Sequence, residues 1–262
     1  MSEYVEFANE LADISGEVIK KYFRTKIEFE DKVDSSPVTI ADKNTELLLR
    51  QMIIDKYPEH DILGEEFDSK HSGSKMQWIL DPIDGTRSFI LGLPIFGTLI
   101  SLLENGIPIL GVINIPITGE RWVGYKKNNS IFYSKNETKS IRCEVSKQKS
   151  ISNASLVATD PGMFSNLQKP YFDLVTRKVK MVRFGGDCYS YGLLASGFID
   201  LIIEANMKIF DVMALVPIIQ EAGGKITDWK GDNFSDKEWD GSVLASASKE
   251  LHEKTINLLN KN

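Results

Sequence analysis

Apolar residues in the first part of the chain recur at helical spacing and then change to short runs. Over residues 4–23 they follow the three- and four-residue spacing of an amphipathic helix. A second helix is predicted over residues 43–57, where Pro58 ends it. The apolar runs at 61–63 and 77–80 are too short for buried helices, and acidic residues follow each of them. This pattern predicts a helical N-terminus followed by two strands that end at a site.

The rest of the chain alternates between β and α patterns. Runs at 94–104, 107–115 and 121–125 are joined by Asn105-Gly106 and by residues 116–119, which predicts an antiparallel meander. Strands are then predicted near 155–158, 180–184, 200–204 and 225–229, and helices near 164–179, 187–196, 210–221 and 249–260. Pro217 should kink the third of these helices. We predict an α+β chain whose N-terminal half (1–145) carries the antiparallel sheet and whose C-terminal α/β half (146–262) shares its core.

Composition narrows the class of protein. The 262 residues are 42% hydrophobic and 26% charged, which excludes fibrous and disordered classes. The net charge of -6 argues against a nucleic-acid partner or an anionic membrane surface. The N-terminus has no signal-peptide pattern, and no run approaches 18 apolar residues, so the sequence predicts a cytoplasmic protein that does not span a membrane.

Several common catalytic arrangements are missing from the sequence. Cys143 and Cys188 lack Cys-x-x-Cys spacing, and the three histidines are too dispersed for a zinc site. No Gly-x-Gly occurs, which excludes the dinucleotide fingerprint. Any chemistry must therefore be carried by carboxylates.

The most informative segment is Asp81-Pro82-Ile83-Asp84-Gly85-Thr86, which follows an apolar strand. Pro82 keeps Asp81 extended, and Gly85 permits a tight turn into a helix that begins near Thr86. For this segment in isolation, the favoured interpretation is that Asp84 is the N-cap of that helix. Further carboxylates at other element ends, Glu65 and Asp211, make a shared acidic site the better interpretation.

Together these segments resemble the three metal signatures of the inositol monophosphatase superfamily. The matching residues are Gly64-Glu65-Glu66, the segment from Asp81 to Thr86, and Asp211 with Ala214 and Glu221-Ala222-Gly223-Gly224. The resemblance covers the whole chain. It implies a layered α-β-α-β-α sandwich that forms a homodimer and hydrolyses small phosphate monoesters with Mg²⁺.

The resemblance also implies a role for each carboxylate. Glu65, Asp81 and the Ile83 carbonyl would hold the metal ion that activates water, and Asp81, Asp84 and Asp211 would hold the ion at the leaving oxygen. Asp42 and Thr86 would orient and deprotonate the water, although Asp42 could instead be a helix N-cap. Lys32 could approach the phosphate or simply be exposed, and Glu66 is predicted to be structural.

Charge supports a metal requirement independently of the resemblance. Glu65, Asp81, Asp84 and Asp211 carry four negative charges, which would repel a phosphate dianion. Two Mg²⁺ ions cancel this charge and a third makes the site positive, so two to three ions per site are predicted. All-oxygen ligands are also those that Mg²⁺ prefers.

Within the superfamily, the sequence is more similar to the histidinol-phosphate phosphatase branch than to the inositol phosphatases. The segments that carry this similarity are residues 36–39, 84–90, 94–100, 120–124 and 184–189. Asp187 and Glu204 would give the pocket two carboxylates for a cationic substrate, although Asp187 could instead be an N-cap. The predicted substrate pocket consists of Gly85, Thr86, Gly185, Gly186, Asp187, Glu204 and Asp211. The alternatives are an inositol or broad-range monophosphatase and a non-catalytic binding module of the same fold.

Overall fold

Fourteen strands in the described part of the chain form three sheets. The computed structural model describes residues 3–26, 28–31, 37–126, 128–134, 139–234 and 239–260. A small antiparallel pair consists of β1 (Phe29–Asp31) and β2 (Pro37–Thr39). A seven-stranded sheet consists of β3 (Asp61–Gly64), β4 (Met76–Asp84), β5 (Gly97–Glu104), β6 (Ile107–Ile115), β7 (Glu120–Tyr125), β8 (Ser130–Ser134) and β9 (Ile141–Arg142). A five-stranded sheet consists of β10 (Ser155–Ala158), β11 (Met181–Phe184), β12 (Leu201–Glu204), β13 (Lys225–Thr227) and β14 (Val243–Ser246).

Eight α-helices pack against these sheets in the same described ranges. They are α1 (Glu3–Tyr22), α2 (Ile40–Lys56), α3 (Thr86–Ile90), α4 (Lys169–Thr176), α5 (Asp187–Ala195), α6 (Ile209–Val212), α7 (Leu215–Glu221) and α8 (Lys249–Leu259). Among these helices none has both the length and the apolar character needed to cross a bilayer.

The three strands of the predicted meander are β5, β6 and β7, and they lie in the middle of the seven-stranded sheet. Strands β4 to β9 pair antiparallel in chain order, and β3 lies parallel to β4. In the five-stranded sheet the order is β11-β10-β12-β14-β13, with β10 parallel to both neighbours and β14 antiparallel to both of its own. Strand β14, which lies between β12 and the edge strand β13, was not predicted, because its four residues follow a polar stretch that gives no strand pattern.

The layers confirm the predicted α-β-α-β-α sandwich. Helices α1 and α2 pack on one face of the seven-stranded sheet, α5 and α7 fill the space between the two sheets, and α4 and α8 cover the outer face of the five-stranded sheet. The largest hydrophobic cluster joins Leu99, Ile113 and Trp122 of the first sheet to Leu215 and Ile219 of α7. This cluster supports the prediction that the halves share a core, while the boundary near residue 145 stays a prediction.

Two of the predicted helices are shorter than their patterns suggest, because proline limits each of them. Pro170 is tolerated only in a first turn, and α4 accordingly begins at Lys169. The helix predicted over 210–221 is divided into α6 and α7. Pro217 has no N–H to donate to the carbonyl of Met213, and the helix is interrupted at that point.

Glycines on two neighbouring strands allow α7 to pack directly against the first sheet. A Cβ at Gly111 would lie 1.9 Å from the carbonyl oxygen of Ala214, and a Cβ at Gly124 would lie 2.4 Å from the amide nitrogen of Ile218. Both neighbours are backbone atoms, which cannot rotate away. This close approach fixes α7 and, immediately before it, the segment that carries Asp211.

We therefore expect Gly124→Ala to destabilise the fold by about 2 kcal/mol, the usual cost of adding a methyl group to a tightly packed interior. Urea denaturation at neutral pH measures this loss. Gly16→Ala is the matched control, since that residue lies within α1 and its nearest contact would be the Pro116 side chain at 3.3 Å. A stability of Gly124→Ala equal to that of Gly16→Ala would contradict the role given to this contact.

Candidate active site

Two carboxylates of the site come from the end of β4. Asp81 pairs with Leu99 of β5 and Asp84 pairs with Gly97, so three steps along β4 match only two along β5. Side chains alternate between the faces of a regular strand, and this one-residue bulge brings Asp81 and Asp84 to the same face. Pro82 suits the bulge because it has no N–H to leave unpaired.

A third carboxylate, Glu65, follows the neighbouring strand. Because β3 and β4 are parallel, their carboxyl ends meet at the same edge of the sheet, with Gly64 paired to Leu80. The Glu65 N–H donates to the Leu80 carbonyl over 3.2 Å. The carboxyl groups of Glu65 and Asp81 are in hydrogen-bond contact.

The structure rejects the alternative that Asp84 caps a helix. The residue before α3 is Gly85, at φ 84°, and no side chain caps this helix. Asp84 Oδ2 instead accepts a hydrogen bond of 2.6 Å from the N–H of Cys188, in the first turn of α5. The Thr86 hydroxyl donates to the Ile83 carbonyl over 3.1 Å.

The fourth carboxylate comes from α6 in the C-terminal half. Asp211 Oδ2 accepts a hydrogen bond of 2.7 Å from the N–H of Lys208. Asp81, Asp84 and Asp211 each place one carboxylate oxygen within 4.8 Å of the other two. The site therefore combines strand ends and a helix start that are distant in sequence.

The shared charge of the cluster changes its acid–base behaviour. Burial and then the neighbouring Glu65 raise the pKa of Asp81 well above its usual range, and burial and then Asp187 do the same for Asp84. Burial, with a contribution from Glu65, raises the pKa of Asp211 to about 8. A bound cation would compensate this repulsion, and several carboxylates with no sulfur or imidazole among them form a donor set suited to a hard divalent cation.

Asp42 lies in α2 and is not the N-cap of that helix. Thr39 is the N-cap, and its N–H donates to Asp42 Oδ2 over 2.8 Å in a capping box. Asp42 Oδ1 is buried and has no hydrogen-bond partner among the described residues. Burial raises the pKa of Asp42 to about 6, and the nearby Glu65 adds to this shift. An unpartnered buried oxygen of this kind can accept a proton or a hydrogen bond from a bound molecule.

The carboxylates open onto a pocket of about 480 Å³ with a small inner cavity of about 70 Å³ behind it. Of the predicted residues, the pocket is lined by Glu65, Gly85, Thr86, Asp187 and Asp211. The inner cavity is lined by Asp84, Asp187, Glu204 and Asp211, together with apolar side chains. A larger groove of about 710 Å³ beside α1 has none of these carboxylates among its described lining residues, so its size does not make it the functional site.

Asp187 lies between the pocket and the inner cavity, and it is not the N-cap of α5, which is Gly186. Its φ of 43° is left-handed, and its Oδ2 accepts a hydrogen bond of 2.7 Å from the Ser88 hydroxyl. A Cβ at Gly85 would lie 2.8 Å from the Asp187 carboxyl carbon, so the absence of a side chain at Gly85 allows this approach. Gly185 and Gly186, both with positive φ, form the turn that leads to Asp187.

Glu204 ends β12 and is 1% exposed. Its Oε1 accepts from the Thr159 N–H at 3.0 Å, and its Oε2 accepts from the Tyr191 hydroxyl at 2.7 Å. Glu204 therefore forms part of the inner cavity wall and is held by the protein's own donors.

Other residues of the site were not found from the sequence. Thr39 could have been recognised from its spacing to Asp42, since a hydroxyl residue followed three residues later by an acid is a capping-box pattern. Ser88 gave no signal, because its partner is 99 residues away. The N–H of Glu66 donates to the Glu46 carboxylate over 2.8 Å, and the role of the Glu66 side chain stays a prediction. Lys32 lies outside the described residues.

Comparison with known proteins agrees with this geometry. The inositol monophosphatase family matches residues 1–262. The chain belongs to this family. It is 43% identical to a bifunctional phosphatase of Arabidopsis thaliana, named IMPL2, chloroplastic, over 99% of this chain and 75% of that protein. It is 35% identical to a histidinol-phosphatase of Chlorobaculum parvum over 98% of this chain and 96% of that protein. The structure of an inositol monophosphatase from Zymomonas mobilis superposes with a TM-score of 0.87 over the full length of both chains, at 36% identity.

Membership of the family makes this protein a phosphatase, and the family is metal-dependent. The cluster of carboxylates is the part of the described structure that fits a metal requirement.

We expect a divalent cation to stabilise the metal-free protein, because the ion relieves the repulsion within the cluster. At 100 times its dissociation constant, a ligand that binds only the folded state adds about 2.7 kcal/mol. For a chain of this size that is a rise of about 5 to 10 °C in Tm, measured by thermal unfolding after chelation and with added Mg²⁺. Asp84→Asn should show a smaller rise, and an equal rise in this variant would place the ion elsewhere.

Proposed function

We propose that this protein is a Mg²⁺-dependent phosphomonoesterase whose preferred substrate is L-histidinol phosphate, which it hydrolyses to L-histidinol and phosphate. The observation that carries the proposal is the arrangement of the carboxylates. Asp81, Asp84 and Asp211 each place one carboxylate oxygen within 4.8 Å of the other two, and a further carboxylate outside this group, Asp187, lines both the pocket and the inner cavity. The three clustered aspartates suit metal ions that bind a phosphate, and Asp187 suits a positively charged group of the substrate.

In this proposal Glu65, Asp81 and the Ile83 carbonyl hold one Mg²⁺, and Asp81, Asp84 and Asp211 hold a second. Asp81, the most buried of the three clustered aspartates, is the shared ligand. When bound, paired metal ions neutralise the phosphate and stabilise the attacking and leaving oxygens of an in-line displacement. A third, weaker ion beside Glu65 is compatible with the same charge balance.

The chain's own groups orient the water. Thr39 holds Asp42 Oδ2, so that the unpartnered Oδ1 is the atom available to accept a proton from the water. The Thr86 hydroxyl donates its hydrogen bond to the Ile83 carbonyl, so the hydroxyl oxygen can accept a hydrogen bond from the same water. Gly85 and Thr86 line the pocket where the phosphate would lie.

Asp187 is the proposed contact for the cationic part of the substrate. Histidinol phosphate carries an ammonium group and a titratable imidazole, whereas inositol phosphates offer neutral hydroxyls. At an effective dielectric constant near 20, an ion pair at 4 Å is worth about 4 kcal/mol before desolvation reduces it. This difference is large enough to select between the two classes of substrate.

Inositol monophosphate is the second candidate, and one observation favours it. Of the two carboxylates predicted for a cation, Glu204 already accepts hydrogen bonds from Thr159 and Tyr191. Asp187 is then the main negative charge that could select a cationic substrate. A relative at 30% identity, covering 89% of this chain and 88% of its own length, is an inositol monophosphatase of Mesembryanthemum crystallinum.

The deciding measurement compares kcat/KM for phosphate release from histidinol phosphate and from inositol 1-phosphate, in the same buffer with Mg²⁺. We expect a preference of at least tenfold for histidinol phosphate, and Asp84→Asn should lower turnover of both substrates at least 100-fold. A preference for inositol 1-phosphate would overturn the substrate assignment alone. Near-normal turnover by Asp84→Asn would overturn the metal assignment.

The contribution of Asp187 can be tested separately with Asp187→Asn. Asparagine tolerates the left-handed backbone and can still accept the Ser88 hydrogen bond, so this variant removes little except the charge. We expect kcat/KM for histidinol phosphate to fall about 10- to 100-fold and that for inositol 1-phosphate to change much less.

Ser88→Ala is the matched control, since it removes the same hydrogen bond and keeps the charge. It should lower the preference for histidinol phosphate less than Asp187→Asn does. Equal losses on both substrates in Asp187→Asn would show that this residue acts on the metal cluster and does not select the substrate.

A further inference from the structure

Helix α2 contains a buried ion pair that no step of the proposed reaction uses. Glu46 is completely buried, and its Oε1 accepts a hydrogen bond of 2.7 Å from Nε of Arg50, one turn later on the helix. The Arg50 side chain is 11% exposed. The pair therefore lies inside the protein, where taking two charges out of water is costly.

In the described part of the chain, the other hydrogen bonds of the pair are with the backbone of one loop. Glu46 Oε2 accepts from the N–H of Glu66 at 2.8 Å, and Arg50 donates to the carbonyls of Phe67 and Asp68 at 2.9 and 3.0 Å. The three residues contacted follow Glu65 directly in the sequence.

The Glu46 carboxylate also leaves no room for a side chain at Gly64, the residue that precedes Glu65. A Cβ at Gly64 would lie 2.0 Å from Glu46 Oε1, so only glycine lets the loop approach this closely. Glu65 is thus held on one side by the sheet, through the Leu80 carbonyl, and on the other by α2. Asp42 lies one turn before Glu46 on the same helix, so α2 fixes both Asp42 and the loop of Glu65.

We propose that Glu46 and Arg50 are positioning residues that hold the Glu65 loop in the geometry needed to bind the metal ion. This inference rests on the proposed function, since it assumes that Glu65 is a metal ligand. Packing alone does not require an ion pair, because an apolar pair of similar volume is often as stable or more stable. The pair supplies the donors and the acceptor that fit this loop. Loss of the groups that orient a metal ligand typically weakens metal affinity 10- to 100-fold.

The test uses the full chain with three changes to the pair: Glu46→Gln, Arg50→Lys, and the apolar double variant Glu46→Met with Arg50→Met. Mg²⁺ is titrated without substrate, and the midpoint of the rise in Tm gives the apparent affinity. The KM for the phosphate ester is measured at saturating Mg²⁺. Arg121→Lys is the matched control, because Arg121 is also mostly buried and donates to Asn9, Asp13 and Asn114, none of which belongs to the carboxylate cluster.

We expect each change to the pair to raise the half-saturating Mg²⁺ concentration about tenfold or more, with less than a threefold change in KM. Arg121→Lys should change the half-saturating concentration less than twofold. The double variant is the sharpest case, since it should recover thermal stability without recovering Mg²⁺ affinity. If Glu46→Gln does not fold, the other two variants carry the test.

Unchanged Mg²⁺ affinity in the folded variants would overturn the inference and leave the proposed function intact. Recovery of affinity in the double variant would also overturn it, because the pair would then serve packing only. A wild-type protein that neither binds Mg²⁺ nor hydrolyses phosphate esters would instead overturn the proposed function itself.

Discussion

The structure depends on keeping several like charges close together in a partly buried place. Asp81, Asp84 and Asp211 bring their oxygens within 4.8 Å of one another, and Glu65 touches Asp81. Such a cluster opposes folding unless protons or a cation compensate it. Burial, with a contribution from Glu65, raises the pKa of Asp211 to about 8. The surrounding elements must therefore hold each carboxylate against its tendency to separate.

Different elements hold the different carboxylates. A bulge turns Asp81 and Asp84 to one face of β4, a backbone amide of α5 holds Asp84, and a backbone amide beside α6 holds Asp211. These donors are main-chain groups of packed elements, so their positions are fixed by the layers of the sandwich. The direct packing of α7 on the sheet through Gly124 thereby contributes to the site, although it is remote from the chemistry.

In the proposed function, different carboxylates of the pocket bind the phosphate and the alcohol part of the substrate. One metal cluster could therefore hydrolyse phosphate esters of different alcohols. In this proposal, the carboxylates at the end of β4 would hold the metal ions at the phosphate, which all phosphate monoesters share. Asp187 lines the same pocket beside Gly85, and in the proposal it contacts the part of the substrate that differs between alcohols. Selectivity among related phosphatases can then change at Asp187 and its neighbours while the metal ligands stay the same.

The sequence alone determined most of the helices, the three strands of the meander and the local motifs, because hydrophobic periodicity and residues such as Pro82 and Gly85 act within a few residues of themselves. It also identified the clustered carboxylates through their family pattern. Only the tertiary structure decided which groups donate hydrogen bonds to them: Asp84 accepts from a backbone N–H of α5 instead of capping α3, and Asp187 accepts from the Ser88 hydroxyl. The same holds for the contact between Glu46 and the loop after Glu65. Such contacts join residues 20 to about 100 positions apart, and no local pattern specifies them, because they arise when the layers pack.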